Sequence, residues 1–316
     1  MREKYIYQLS IFVILFMTLG LFIAAVPEVF LQSRIYISYL SIIPFTMILA
    51  LALTPLIIAK EIDLSFPSIM AVSGYIFSQT YLTFDNTFLA FLLSLVFGFF
   101  AGLFNGLIVV KVGVPSIIAT IGSQFLFRGL AMILSGGSAL SIIDIKENYI
   151  SELFTGRWFG IFPAQSFWVI LFAFIIWFVL FKHKFGNEVL FVGDNIKAAK
   201  MMGINTDKTR IILFIQMGMI SSFSAVLLTL EMASWWPTNG EGYLLLVFAS
   251  IFIGGTSVFG GSGTIFGTFI GAIIIGIMES GIIAMGLDGF YTRFIYGVII
   301  LIAVCVHAKI LKKGKI

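Results

Sequence analysis

Apolar residues in this chain do not alternate with polar ones. They come in long runs separated by short polar or glycine-rich breaks, at about 6–28, 35–59, 66–82, 87–110, 114–135, 166–181, 210–231, 243–256, 264–283 and 292–308. A helix needs roughly 20 apolar residues to cross a hydrocarbon layer of about 30 Å. In lipid, every backbone polar group must be satisfied within the segment or across a closed barrel. Unbroken runs of this length predict helices, and hence an all-α polytopic transmembrane bundle of about ten spans. The third, fifth and eighth runs are short or interrupted by glycine and are expected as half-helices. Eight full spans plus re-entrant pieces is the alternative. Pro44 and Pro55 in the second run and Pro115 before the fifth release backbone carbonyls, which lipid cannot satisfy.

Composition agrees. Of 316 residues, 60% are hydrophobic and 11% charged, and the mean hydropathy is +1.10. Such a chain has too little polar surface for a soluble domain. The single cysteine, Cys305, allows no intrachain disulfide, and with two histidines it builds no zinc cluster. Arg2 and Lys4 before the first run resemble a signal peptide, but the run is long enough to span and is read as the first helix.

Charge orients the bundle. With ten spans, one side carries Arg2, Lys4, Lys60, Lys111, Lys182, Lys184, Lys197, Lys200, Lys208, Arg210, Lys309, Lys312, Lys313 and Lys315. Arg34, Arg128, Lys146, Arg157 and Arg293 fall on the other. The positive-inside rule then places both termini in the cytoplasm. The chain reads as one transmembrane domain over 1–316, with a cytoplasmic loop at about 182–209 and an external loop at about 136–165. Within the cytoplasmic loop, residues 195–202 lack helix breakers and predict a short helix bracketed by Gly193 and Gly203, with Asp194 or Asn195 as its cap.

That loop carries a resemblance. Gly193-Asp194-Asn195-Ile196-Lys197-Ala198-Ala199-Lys200-Met201-Met202-Gly203-Ile204 matches the form G-x-N-x-x-A-A-x-x-x-G-I. This form is found in the permeases of ribose-, xylose- and autoinducer-type ABC importers. Four further segments agree with that family in order: Glu61-Ile62-Asp63-Leu64-Ser65; Gly102-Leu103-Phe104-Asn105-Gly106; Pro115 to Gly122 followed by Arg128-Gly129; and Ile253 to Ser257 followed by Gly260-Gly261-Ser262-Gly263 and Gly267-Thr268. The resemblance covers about 40–305. It departs at Lys60 and Glu61, where many members have small residues. It departs also at Leu244 and Leu246, where many are acidic, and at Glu279, where many have Asn.

The resemblance implies a permease subunit of a bacterial cytoplasmic-membrane importer for a small sugar or polyol, working as a homo- or heterodimer. It implies two cytoplasmic ATPase subunits and an extracytoplasmic solute-binding protein as partners. It also implies a coupling helix whose docking surface includes Gly193, Asn195, Ala198, Ala199 and Gly203. No G-x-x-x-x-G-K-[ST] loop occurs, and Gly314-Lys315 stands at the tail. The chain is therefore read as a non-enzyme binding no cofactor of its own, with ATP and Mg²⁺ handled by a partner.

Two other classes compete. An ion-coupled carrier would use acidic groups inside the runs, of which Glu279 is the most central. Gly260-Gly261-Ser262-Gly263 contains the G-x-S-G of rhomboid-type intramembrane proteases. However, His307, its only conceivable base, stands at the cytoplasmic end of the last run beside Lys309. For the translocation path the residues are Asn105, Glu279 and Ser280. Arg128 and Glu231 are read as span-end residues whose heads snorkel to water. Trp235 and Trp236 are read either as interface anchors or as an external gate.

Overall fold

The protein is described from a computed structural model over residues 2–313; Met1 and residues 314–316, including the Gly314-Lys315 pair, lie outside the described residues. Helix α1 (Arg2–Ala25) turns through α2 (Pro27–Phe30), which Pro27 opens, into α3 (Ser33–Ile58). Then come α4 (Phe66–Phe84), α5 (Thr87–Leu107) and α6 (Ser116–Ser135). After strand β1 (Leu140–Ser141) and α7 (Tyr149–Thr155), the hairpin of β2 (Arg157–Trp158) and β3 (Phe162–Pro163) leads into α8 (Ala164–Lys182). Two short helices follow, α9 (Lys184–Asp194) and α10 (Ile196–Met201), then the long α11 (Thr206–Met232). Strand β4 (Ser234–Trp235), α12 (Tyr243–Ile253), α13 (Ile265–Ala284) and α14 (Gly289–Lys313) complete the order.

Each apolar run of the sequence is a helix. Among the described residues six are long and apolar enough to cross a membrane: Ser33–Ile58, Thr87–Val112, Ser116–Ser135, Ala164–Lys182, Thr206–Met232 and Ile265–Ala284. The protein is an all-α polytopic membrane bundle. α12, with 11 residues, rises only about 17 Å, as expected of a half-helix. The third and fifth runs are not half-helices: α4 and α6 have 19 and 20 residues.

The core is built on α3, buried almost continuously from Ile43 to Ile58. Pro44 lies inside this helix, so the carbonyl of Leu40 has no backbone donor. Ser166 Oγ, at the start of α8, donates to it at 2.6 Å. Helix α11 runs antiparallel to α3: Ser224 Oγ donates to the Phe45 carbonyl at 3.3 Å, and Gln216 Nε2 to the Ala52 carbonyl at 3.4 Å. Against α11 lies α5 with glycines at every fourth position. A Cβ on Gly98 would stand 2.5 Å from the Gly218 carbonyl, and one on Gly102 would stand 2.3 Å from that of Phe214. Such a small-residue seam lets backbones approach where no hydrophobic effect drives helices together.

Because α3 and α11 are antiparallel, the breaks that follow them lie at opposite ends of the bundle. Residues 59–65 follow α3, and residues 233–242 follow α11. The order of long helix, break, helix, long helix thus occurs twice, in α3–α4–α5 and in α11–α12–α13.

Candidate functional site

The first group of interest gathers where α3 ends. Ala59 and Lys60 turn the chain, Lys60 taking φ +63°. That left-handed conformation costs a non-glycine residue about 1–2 kcal/mol. Three segments converge on this turn. The Ile58 carbonyl accepts from Gly261 N at 2.8 Å. Lys60 Nζ donates to the Asp194 carbonyl at 2.8 Å. Gly193 lies so close that a Cβ would meet the Ile58 oxygen at 1.8 Å. Glu61 and Arg210 form a largely buried ion pair at 2.6 Å. The departures at Lys60 and Glu61 are therefore both in use, fastening the turn to the α9–α10 segment and to α11.

The α9–α10 segment is the predicted coupling loop. Its short helix is present, and Asn195 is the cap, its side chain accepting from Lys197 N and Ala198 N at 3.0 and 3.1 Å. Helix α9, unforeseen from the sequence, carries Gly193 in its last turn. Of the five residues expected to form the docking surface, two are buried, while Asn195 and Gly203 are exposed. Gly193 and Ala199 face the protein's own bundle, with Ala199 only 1% exposed. Gly203, at φ +80°, closes α10, and Ala198 is half-buried. The outward side instead presents Met201 and Met202, 84% and 60% exposed, with Lys197 and Lys200. The small residues let the helix sit close; the methionines stand out from it. Gly260 and Gly261 take φ +76° and +74°, so the protease-like G-x-S-G is a tight turn whose Gly261 binds Ile58. The described side chains do not include that of His307.

A buried polar chain begins just beyond. Asp63 Oδ1 accepts from Ser65 N and Oγ at 2.7 and 2.6 Å, and Asn105 Nδ2 donates to Ser65 Oγ at 2.7 Å. Ser123 Oγ donates to Asn105 Oδ1 at 2.5 Å. Asn105 is fully buried here. It ties α4, α5 and α6 together and does not join Glu279, so the expected grouping of Asn105 with Glu279 and Ser280 is not formed.

From the opposite end, residues 233–242 fold back into the bundle. Trp235 is fully buried, its Nε1 donating to the Ala71 carbonyl at 2.8 Å. Only Trp236 is exposed, at 46%, so the two rings do not stand together at an entrance. Arg128 is not snorkelling. Its guanidinium donates to the carbonyls of Pro237, of Asn239 at 3.0 Å, and of Pro67 at 3.3 Å. It thereby joins the 233–242 break to the first turn of α4. Glu231 pairs with Arg157 at 2.9 Å, and β1 pairs with β4, which puts the 136–165 and 233–242 segments at the same end.

Glu279 and Ser280 line a different space. A cavity of 190 Å³ lies between α3, α12 and α13, walled by Tyr39, Ile42, Ile43, Thr46, Leu246, Ala272, Ile275, Gly276, Glu279, Ser280 and Ile283. A second of 400 Å³ shares Ile42, Thr46, Leu246, Glu279 and Ile283 and continues to Glu241, Tyr243, Thr292, Arg293 and Tyr296. Two departures from the family pattern, Leu246 and Glu279, thus meet in one cavity. Among the described residues no group of His, Cys, Asp and Glu could hold a metal ion.

Known proteins share this chain's sequence over most of its length. It is 31% identical over 297 residues to the ribose import permease protein RbsC of Bacillus subtilis (strain 168), covering 92% of this chain and 91% of that one. To the ribose import permease protein RbsC of Escherichia coli (strain K12) it is 33% identical over 268 residues, covering 83% and 82%. To the L-arabinose ABC transporter permease protein AraH of Azospirillum brasilense it is 31% identical over 297 residues, covering 93% and 84%. No solved structure matches. The sequence model for the permease component of branched-chain amino acid transport systems matches residues 35–304, and the chain belongs to that family.

Proposed function

We propose that this chain is the membrane-spanning subunit of an ATP-driven importer for a small sugar or polyol, oriented with both termini in the cytoplasm. It pairs with a second permease, two ATPase subunits and an extracytoplasmic solute-binding protein. The ATPases supply the nucleotide chemistry, and this chain binds no nucleotide. Its relatives are import permeases for ribose and for L-arabinose, which supports the solute class.

The observation that carries the reading is α10. It is a capped helix that follows directly on the last turn of α9, where Gly193 and Asp194 are fastened to Ile58 and Lys60 at the end of α3, and it presents Met201 and Met202 outward amid lysines. Exposed flexible thioethers fit an apolar partner cleft. The fastening passes any movement of α10 directly to the 59–65 break, which is what alternating access driven from outside the bundle requires. An ion-coupled carrier has no use for such a helix.

The test is uptake of radiolabelled pentoses into proteoliposomes holding the assembled complex. Uptake is expected with ATP on the ATPase side and no ion gradient. Uptake that needs only a proton or sodium gradient overturns the reading.

A further inference from the structure

Glu279 is the one carboxyl side chain on the wall of the smaller cavity, and among the described residues it makes no hydrogen bond or ion pair. A carboxyl group inside a helix bundle ordinarily has a partner, because lipid cannot solvate it. Across the cavity stands Tyr39. It is 8% exposed, and its hydroxyl lies near the Ser280 side chain without making a hydrogen bond of good geometry among the described residues. A buried hydroxyl left unmade forfeits free energy that a ligand oxygen would restore. Thr46 adds a second hydroxyl about two turns further along α3. Ser280 Oγ donates to the Gly276 carbonyl at 3.2 Å, leaving its oxygen free to accept. The rest of the wall is aliphatic, from Ile42, Ile43 and Leu246.

We propose that Glu279, Tyr39 and Thr46 form the solute-recognition site of the permease, and that its ligand is a neutral polyol bound through adjacent hydroxyl groups. The proposal rests on the importer reading given above. A carboxylate has two oxygens and accepts from two neighbouring O–H groups at once. The Tyr39 hydroxyl donates to a third solute oxygen, or accepts from it. The aliphatic wall covers the C–H face of the same molecule. The cavity of 190 Å³ leaves room for a small sugar beside these groups. No cation is needed to balance the site, since its recognition runs on hydroxyl protons.

The experiment uses the assembled importer in proteoliposomes, with ribose, arabinose and xylose as probes and, for the fastest of these, its 2-deoxy and 3-deoxy forms. Glu279→Gln keeps an acceptor and a similar shape, and should lower kcat/KM for the parent sugar by no more than about threefold. Glu279→Leu should lower it about 30-fold, as loss of hydrogen bonds to a charged group does. Tyr39→Phe should lower it about fivefold. The decisive comparison is non-additivity. One deoxy sugar should lose about as much with the unaltered protein as the parent sugar loses with Glu279→Leu, and should lose little more with that variant. Unchanged transport by Glu279→Leu overturns the site, as do losses that multiply for every deoxy sugar. Abolition of neutral-sugar uptake by Glu279→Gln, with glucosamine preferred by the unaltered protein, shows a cation site and also overturns it. These outcomes differ from failure of the importer reading, in which the unaltered protein moves no probe sugar under ATP; that result removes the site along with the reading.

Discussion

At the scale of single residues, Arg128 shows why a charge within an apolar run needs its partners before it can be interpreted. Its guanidinium presents five donors in a planar fork, and backbone carbonyls from two separate segments accept from it. Lysine carries the same charge without the fork. Arg128→Ala should destabilise the protein by roughly 3 kcal/mol, because the carbonyls lose their donors inside the bundle, and Arg128→Lys by about half of that. Thermal unfolding in detergent measures both, and equal stability of all three proteins would contradict the clamp. Nothing in the sequence said that Arg128 would meet Pro237, because the two stand 109 residues apart. Asn105 was misplaced for the same reason. Its polarity within an apolar run was legible, but its partners Ser65 and Ser123 come from two other helices. Glu279 was the easier case: an acidic residue between Gly276 and Gly281 must face protein or water, and it does line a cavity.

Among the elements, the periodicity placed nearly all the helices and the glycine pattern placed the breaks. The α10 segment was legible down to a choice of two caps, Asp194 or Asn195, and the structure selects Asn195. What the sequence could not show was which side of α10 faces the bundle, because small residues serve equally well in either role. Burial decides it, and the decision changes the expected mutant behaviour. Met201→Asp with Met202→Asp places charge on the exposed side. It should lower coupled uptake about tenfold while leaving protein stability and ATPase turnover of the complex in place. Ala199→Glu forces a charge into the protein's own packing and should lower the yield of folded protein instead. Measuring uptake, ATP hydrolysis and melting temperature together separates the two. Loss of coupling from Ala199→Glu with unchanged melting would restore the inward surface as the docking side. Helix α9 escaped notice because Gly186 and Asn187 lower local helix propensity; Gly186 stays because a Cβ there would strike the Leu180 carbonyl at 2.0 Å.

For the whole molecule, the charge split of the sequence and the contacts of the fold agree on which segments share an end. Lys60 reaches Asp194 and Lys111 reaches Asp207, while Arg157 reaches Glu231 at the other end. In a Cys305-free background, Phe159→Cys should react with a membrane-impermeant thiol reagent from outside, since Phe159 is 93% exposed on its hairpin tip. Lys200→Cys should react only after permeabilisation. Trp235→Cys should stay silent from either side, although it belongs to the break at the proposed external end, because that position is fully buried. Rapid external labelling at 200 would reverse the orientation.

One guanidinium also bridges the interior ends of two interruptions that open on opposite surfaces. In mechanical terms it is a pin through two levers. The 59–65 segment ends at the first turn of α4, and Arg128 holds Pro67 in that turn and Pro237 in the other segment. A push delivered to the end of α3 is therefore passed through Arg128 to the segment beneath the opposite surface. The two faces are then unable to respond on separate clocks. Probes placed at 61 and 238 should relax after ATP addition with one shared rate constant. In Arg128→Ala, with the pin withdrawn, the same two probes should relax at different rates.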